Sequence, residues 1–171
     1  MRKISVALLV FLLAGAGISR AHAQLIGLPK VLAFGNLTYA SPVGANFSNI
    51  ANHGFGYEAG AGIGLGKTML VASAGQITYN LTNNGRLTVN PLKLGIRRYL
   101  LLGLFLNASL GTALQHTDVF PDKKGNFLYE VGGGFKFGFV ELGAAYTSYK
   151  LAYFSGNASS LLFKAGVAVK L

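Results

Sequence analysis

The chain has 171 residues, a formal net charge of +10, 51% hydrophobic but only 12% charged residues, 24 glycines and no cysteine. So small a charged share argues against an ordinary water-facing surface, and the absence of cysteine excludes both a disulfide framework and thiolate metal ligation. After residue 23 no stretch is long and apolar enough for a membrane-spanning helix, so the apolar residues must either fill a large core or face lipid from another kind of element.

In chain order, Arg2 and Lys3, the apolar run Ile4 to Gly17 and the small-residue site Ala21-His22-Ala23 read as a secretory signal peptide over residues 1–23. The domain expected to remain is 24–171, with 12 Lys and Arg against five acids.

From there the dominant pattern is alternation with a period of two, which predicts strands. Eight are expected: Lys30–Val43, Gly54–Gly66, Thr68–Leu81, Arg86–Tyr99, Leu101–His116, Asn126–Gly138, Phe139–Ala152 and Ser159–Leu171. The first is ambiguous in register, because Leu32 and Phe34 compete with Val31, Leu37 and Tyr39. In the second, Phe55, Tyr57, Ile63 and Leu65 oppose Glu58 and six glycines, which would make room for long Lys and Arg side chains across a lumen. The third is less clean, with Ser73 and Gly75 on the Val71, Ile77 and Tyr79 face. In the fourth, Pro91 needs a bulge or the barrel mouth. The fifth, sixth and eighth alternate plainly: Leu104, Leu106, Phe135, Phe137, Phe163 and Val167 oppose Asn107, Glu130, Lys136 and Lys164.

Tight connections near Lys67, Leu100 and Gly138-Phe139 alternate with longer ones rich in Asn, Gly, Ser, Asp and Pro. Strands of about 13 residues exceed the ~9–11 a tilted membrane strand needs. The expected fold is therefore all-β: an eight-stranded antiparallel up-and-down transmembrane β-barrel with short periplasmic turns and both strand termini on that side. Aromatics at the loop ends (Tyr57, Tyr79, Phe127, Tyr129, Tyr149, Tyr153) and turn ends (Tyr99, Phe135, Phe137, Phe139) suggest two interfacial belts.

Seven charged residues fall on the inner face: Glu58, Lys93, Arg97, Glu130, Lys136, Glu141 and Lys164. A barrel of eight strands is just wide enough to be filled by side chains, and charges in such an interior must pair. A two-residue turn at Gly138-Phe139 would set Lys136 opposite Glu141. The network is expected to be structural, a plug rather than a pore.

On these residues the chain from Val31 to Leu171 resembles the small outer-membrane barrels of the OmpA/OmpX-like class. Its last strand, Ser160 to Leu171, resembles the signal read by the barrel assembly machinery, although it ends in Leu where many members end in an aromatic. The resemblance implies a place in the bacterial outer membrane and a structural, surface-interaction, channel or lipid-modifying role.

Other patterns carry less. Ala61 to Thr68 loosely fits a phosphate loop, but a strand follows where a helix is required. His53 and His116 with Asp118 or Asp122 could make only a weak metal site, and His116-Thr117-Asp118 is a poor catalytic constellation. No catalytic, cofactor or metal residue is assigned, and no enzyme activity is expected. Positive charge divided among lumen, loops and turns does not favour nucleic acid. The function expected is an integral, monomeric outer-membrane barrel with a structural or surface-interaction role, in contact with lipid and lipopolysaccharide. Its contact surface would be the loop bearing Asp118, Asp122, Lys123 and Lys124. The alternatives are a narrow channel and a soluble ligand-binding barrel with its apolar face inward.

Overall fold

Eight antiparallel strands pair in sequence order and close β8 onto β1, so every strand has two partners. The computed structural model describes residues 29–83, 85–117, 124–152 and 156–171. The expected signal peptide therefore lies outside the described residues, as do Asp118, Asp122, Lys123 and Tyr153.

The strands are β1 (Lys30–Val43), β2 (Ala51–Leu65), β3 (Thr68–Leu81), β4 (Arg86–Tyr99), β5 (Leu104–Thr117), β6 (Lys124–Phe137), β7 (Val140–Lys150) and β8 (Asn157–Lys170). A four-residue helix, α1 (Ala45–Ser48), precedes β2. Several expected strand ends shift by one to three residues. The fifth starts at Leu104, not Leu101, because the chain reverses through Leu102 and Gly103 in left-handed backbone (φ 57 and 82). The sixth stops at Phe137, and the seventh runs only from Val140 to Lys150.

The registers fix the barrel's shape. Ala33 pairs with Ala61, which leads in turn to Ala72, Leu94, Leu110, Tyr129, Ser148, Ser159 and back to Val43 on the first strand. One circuit thus advances ten residues (33 to 43) along β1. With eight strands, such a stagger corresponds to a strand tilt of about 40°.

Side chains alternate across this wall. Leu37, Ile63, Leu94, Leu106, Val131 and Val167 are exposed on the outside, while Leu32, Asn36, Glu58, Lys93 and Glu130 are buried within. Leu104, Phe135 and Val167 point out and Glu130 in, the reverse of a soluble barrel with an apolar lumen. In β1 the inward set is Leu32, Phe34, Asn36, Thr38 and Ala40. In β3 it is Met69, Val71, Ser73, Ile77 and Tyr79.

The loop half of the lumen is apolar. Phe47 of α1 turns into the mouth and is fully buried, with its ring 5.1 Å from that of Tyr79 and 6.5 Å from that of Tyr149. Leu87, Val89, Leu128 and Leu162 complete this cap. The expectation that Tyr79 and Tyr149 join an outer belt is therefore corrected, and Tyr99 is likewise buried inside. A phenol ring suits a packed interior as well as an interface, so residue type alone did not separate the two. Tyr79 Oη donates to Ser160 Oγ at 3.0 Å. Tyr79→Phe should lower stability by about 1 kcal/mol, read as a shift in the urea midpoint; an unchanged midpoint would count against this bond.

Two further expectations change. Pro91 makes no bulge: it stays in register opposite Ala113, and the β3–β4 ladder lapses beside it and resumes unshifted at Ile77 and Val89. Among the described residues the one register shift falls in β2, between Ala51 and Gly54. Two of the β2 glycines, Gly54 and Gly60, make room for rings, while Gly56, Gly62 and Gly64 lie against the neighbouring strand; no Lys or Arg atom is among their nearest neighbours. A methyl group on Gly60 would lie 2.5 Å from Phe34, and one on Gly54 would lie 2.8 Å from Tyr79.

Candidate functional site

The middle of the lumen holds four charges from four alternate strands: Glu58 (β2), Lys93 (β4), Glu130 (β6) and Lys164 (β8). Lys93 Nζ lies 2.9 Å from Glu58 Oε1 and 2.7 Å from Glu130 Oε2. Lys164 Nζ lies 2.7 Å from Glu58 Oε2 and 2.6 Å from Glu130 Oε1. Each carboxylate gives one oxygen to each ammonium, so the ring is closed and electrically neutral.

Strand tilt explains why these four meet. Across two ladders Lys93 leads to Gly111 and Leu128, two residues before Glu130. Glu130 leads to Thr147 and Ser160, four residues before Lys164. Lys164 leads to Thr38 and Gly56, two residues before Glu58. Each charge lies a little further towards the turn end than direct pairing would put it, which is what keeps four tilted strands at one level.

One layer nearer the turns, Arg97 Nη1 donates to both oxygens of Glu141, at 2.8 and 3.1 Å. Its guanidinium is held between two rings, 4.6 Å from the centroid of Phe34 and 4.6 Å from that of Phe105. Cation–π attraction on both faces strengthens as water is excluded. Neither phenylalanine was foreseen here. The signal available was that Phe105 is a large ring on the small, polar face of its strand.

Between the two layers is a cavity of about 40 Å³ lined by Asn36, Ser73, Asn107 and Ser109 among others. Asn36 Oδ1 and Arg97 Nε have no protein partner, and a polar space of this size can hydrate them. Below Arg97, Leu32, Met69, Tyr99 and Ala168 close the turn end.

Lys136 does not join the network. It is opposite Glu141 in register, as the turn at Gly138-Phe139 requires, but its Nζ donates to Gly138 O in that turn. Glu141 is claimed by Arg97, whose Nη1 donates to both of its oxygens. Of the four expected contact residues only Lys124 is described, as the first residue of β6.

His53 lies on β2, stacked 6.2 Å from Tyr39, and His116 lies on β5, three strands away. Among the described residues no group of three His, Cys, Asp or Glu is placed to hold a metal. Gly66-Lys67 is a tight strand-to-strand turn, with β3 following directly.

No protein-family model matches the sequence, and no curated protein matches it. Solved structures do resemble the fold. The attachment invasion locus protein Ail of Yersinia pestis, in complex with the heparin analogue sucrose octasulfate, superposes with a TM-score of 0.54 at 12% identity, covering 82% of this chain and 97% of that one. Neisserial surface protein A gives 0.55 at 15% identity, covering 84% and 97%. Ail in a phospholipid bilayer nanodisc gives 0.53 at 14% identity, covering 82% and 99%. At such identities the likeness speaks for the fold: a small eight-stranded barrel of the outer-membrane type.

Proposed function

We propose that this chain is an integral bacterial outer-membrane protein with a structural and surface-interaction role, a closed scaffold that presents its longer loops outside the cell. The observation that carries this reading is the inversion of the wall: apolar side chains cover the outside while every described carboxylate is buried and paired within. A surface of this kind has too few charges for solubility and suits a hydrocarbon environment. Carbonate washing of membranes should leave the protein in the pellet, and unboiled samples should migrate differently from boiled ones on a gel. Release by carbonate would end the reading.

The proposed route to the membrane is export with removal of residues 1–23 and assembly through the last strand, Ser160 to Leu171. A mature N-terminus at Gln24, read by mass spectrometry, tests the first step. The loop carrying Asp118, Asp122, Lys123 and Lys124 is the proposed contact surface, with lipopolysaccharide among its neighbours. That Ail was crystallised in complex with the heparin analogue sucrose octasulfate supports looking for a ligand of this barrel. The barrel is proposed to act as a monomer without a cofactor.

A conducting channel is the less favoured alternative. The aromatic cap, the neutral ring and the Arg97 layer lie in series across the lumen, and only about 40 Å³ separates the last two. Planar-bilayer recordings of the folded protein should show no conductance steps. Steps that persist in Phe47→Ala and wild-type protein alike would reverse this preference.

A further inference from the structure

The wall changes character part-way up. On the outer face of β3, Leu70, Ala72 and Ala74 give way to Gln76, Thr78 and Asn80 towards the loops. On β4, Ile96, Leu94 and Leu92 give way to Asn90, Thr88 and Arg86, and on β5 the run from Leu104 to Leu110 gives way to Thr112. The three changes fall just above the four-charge ring. Gln76 pairs with Tyr57, the neighbour of Glu58, Thr112 pairs with Leu92, the neighbour of Lys93, and Asn90 is three residues from Lys93. The inner face changes in the opposite sense at this level, to Ile77, Tyr79, Leu87, Val89 and Ala113 of the apolar cap. A sheet with its apolar face inward and its polar face outward is built to meet a polar medium.

The apolar band is complete below this stretch. From the turn tips at Leu101 and Leu102 to Leu110 it is about 20 Å tall at a strand tilt of about 40°, close to the roughly 25 Å of a barrel's lipid-facing band. Bulk water does not match the upper stretch either. Three outward positions on each of β3, β4 and β5 (within 76–80, 86–90 and 112–116) hold a single formal charge, at Arg86, where a water-facing surface carries about 25–35% charged residues. Most of the others are amides and hydroxyls, which both donate and accept. Tyr57 Oη donates to Gln76 Oε1 at 3.1 Å, and the Thr78 and Thr88 hydroxyls are 3.3 Å apart. The exposed rings of Phe55 and Tyr57 border this face. Glu58, Glu130 and Glu141 all turn into the lumen, so no described carboxylate faces a phosphorylated ligand here. A protein partner would need large apolar anchors, and these positions offer one, Leu114.

We infer that the hydrocarbon of the outer leaflet ends between Ala74 and Gln76 on β3 and between Leu92 and Asn90 on β4, and that the face above it, formed by Gln76, Thr78, Thr88, Asn90 and Thr112, binds the sugars that head lipopolysaccharide. Sugar hydroxyls pair with the neutral amides and hydroxyls. The C–H face of a sugar ring lies against Phe55 or Tyr57, and Arg86 at the top of the face meets phosphate. This inference rests on the membrane reading above. It adds the level of the barrel in its leaflet and a contact surface on the wall rather than on the loops.

Nitroxide labels on single cysteines test it, in a chain with no cysteine of its own. Leu94→Cys places a label on the apolar band, Thr88→Cys on the proposed sugar face, and Ser41→Cys on the outer side of β1, away from that face. In phosphatidylcholine vesicles, collisions with oxygen should dominate at Leu94, and collisions with a water-soluble nickel chelate at Thr88 and Ser41. In vesicles containing lipopolysaccharide with its core sugars, nickel collisions at Thr88 should fall severalfold below those in vesicles containing lipid A alone. That fall should exceed the one at Ser41, and Gln76→Ala with Asn90→Ala should bring the two level. If Thr88→Cys does not fold, Thr112→Cys takes its place. Oxygen-dominated collisions at Thr88 would overturn this inference alone, by placing the face in hydrocarbon. So would equal shielding at Thr88 and Ser41, shielding that is the same with and without core sugars, or an excess that survives the double variant. Nickel-dominated collisions at Leu94 would overturn the membrane reading and this inference together.

Discussion

Glu130→Gln should lower the unfolding free energy by about 3–5 kcal/mol, the usual cost of removing one partner from a buried ion pair. Glu130 is 3% exposed and holds two ammonium groups, at 2.7 and 2.6 Å. Without its charge, Lys93 and Lys164 share Glu58 alone, and the ring carries an excess positive charge in a space closed to bulk water. An amide of the same shape fills the volume, so the loss reports charge and not a cavity. Urea unfolding of the purified barrel, followed by heat-modifiable gel mobility, measures it. Arg86→Gln, at an exposed position, should stay within about 0.5 kcal/mol of wild type. Adding Lys93→Met to Glu130→Gln restores neutrality, so the double variant should recover part of the loss, the non-additivity expected of groups in contact. A change below about 1 kcal/mol in the single variant would mean that the ring is not dry enough to matter.

The second large effect is at Arg97. Arg97→Met should cost about 3 kcal/mol or more, because Glu141 is left buried without its cation and the sandwich between Phe34 and Phe105 is emptied of charge. Arg97→Lys separates the contributions. It keeps a positive charge but loses the planar group that touches two rings at once and donates to both carboxylate oxygens. Its loss should fall between wild type and Arg97→Met. If lysine restores full stability, the rings are mere packing, and if it restores nothing, stacking dominates. Glu141→Gln in the Arg97→Met background should recover stability, since the stranded carboxylate is then gone. The same unfolding measurement reads all four proteins.

Much of this architecture was legible because strand periodicity is unforgiving. A one-residue slip would send Glu58, Glu130 or Lys164 outward, so the charges themselves pin the faces of β2, β6 and β8. The tight turn at Gly138 likewise set Lys136 opposite Glu141. Opposition in register is not contact, however. The pairing of Glu141 with Arg97 comes from β4 and β7, which no ladder joins, and depends on the stagger of the whole ring. Tyr79 and Tyr149 were misplaced for a different reason: the loop half of the lumen is apolar, so on β3 the usual contrast reverses there, with Ile77, Tyr79 and Leu81 inward and Gln76, Thr78 and Asn80 on the outer face. The four residues of α1 are too few to show a helical period, and Phe47, which caps the mouth, is unremarkable in a run of small and polar neighbours.

The four-charge ring also orders events in time. Lys164 arrives 106 residues after Glu58 and 34 after Glu130. A chain with seven strands in place therefore has two anions facing a single lysine, as well as an open seam along β1. The eighth strand removes both defects in one step, by supplying the missing cation as it closes the sheet. Closure of the seam and completion of the charge set thus act as one checkpoint. Losing the last strand would undo both together: the sheet would reopen along β1 and two carboxylates would be left with one lysine.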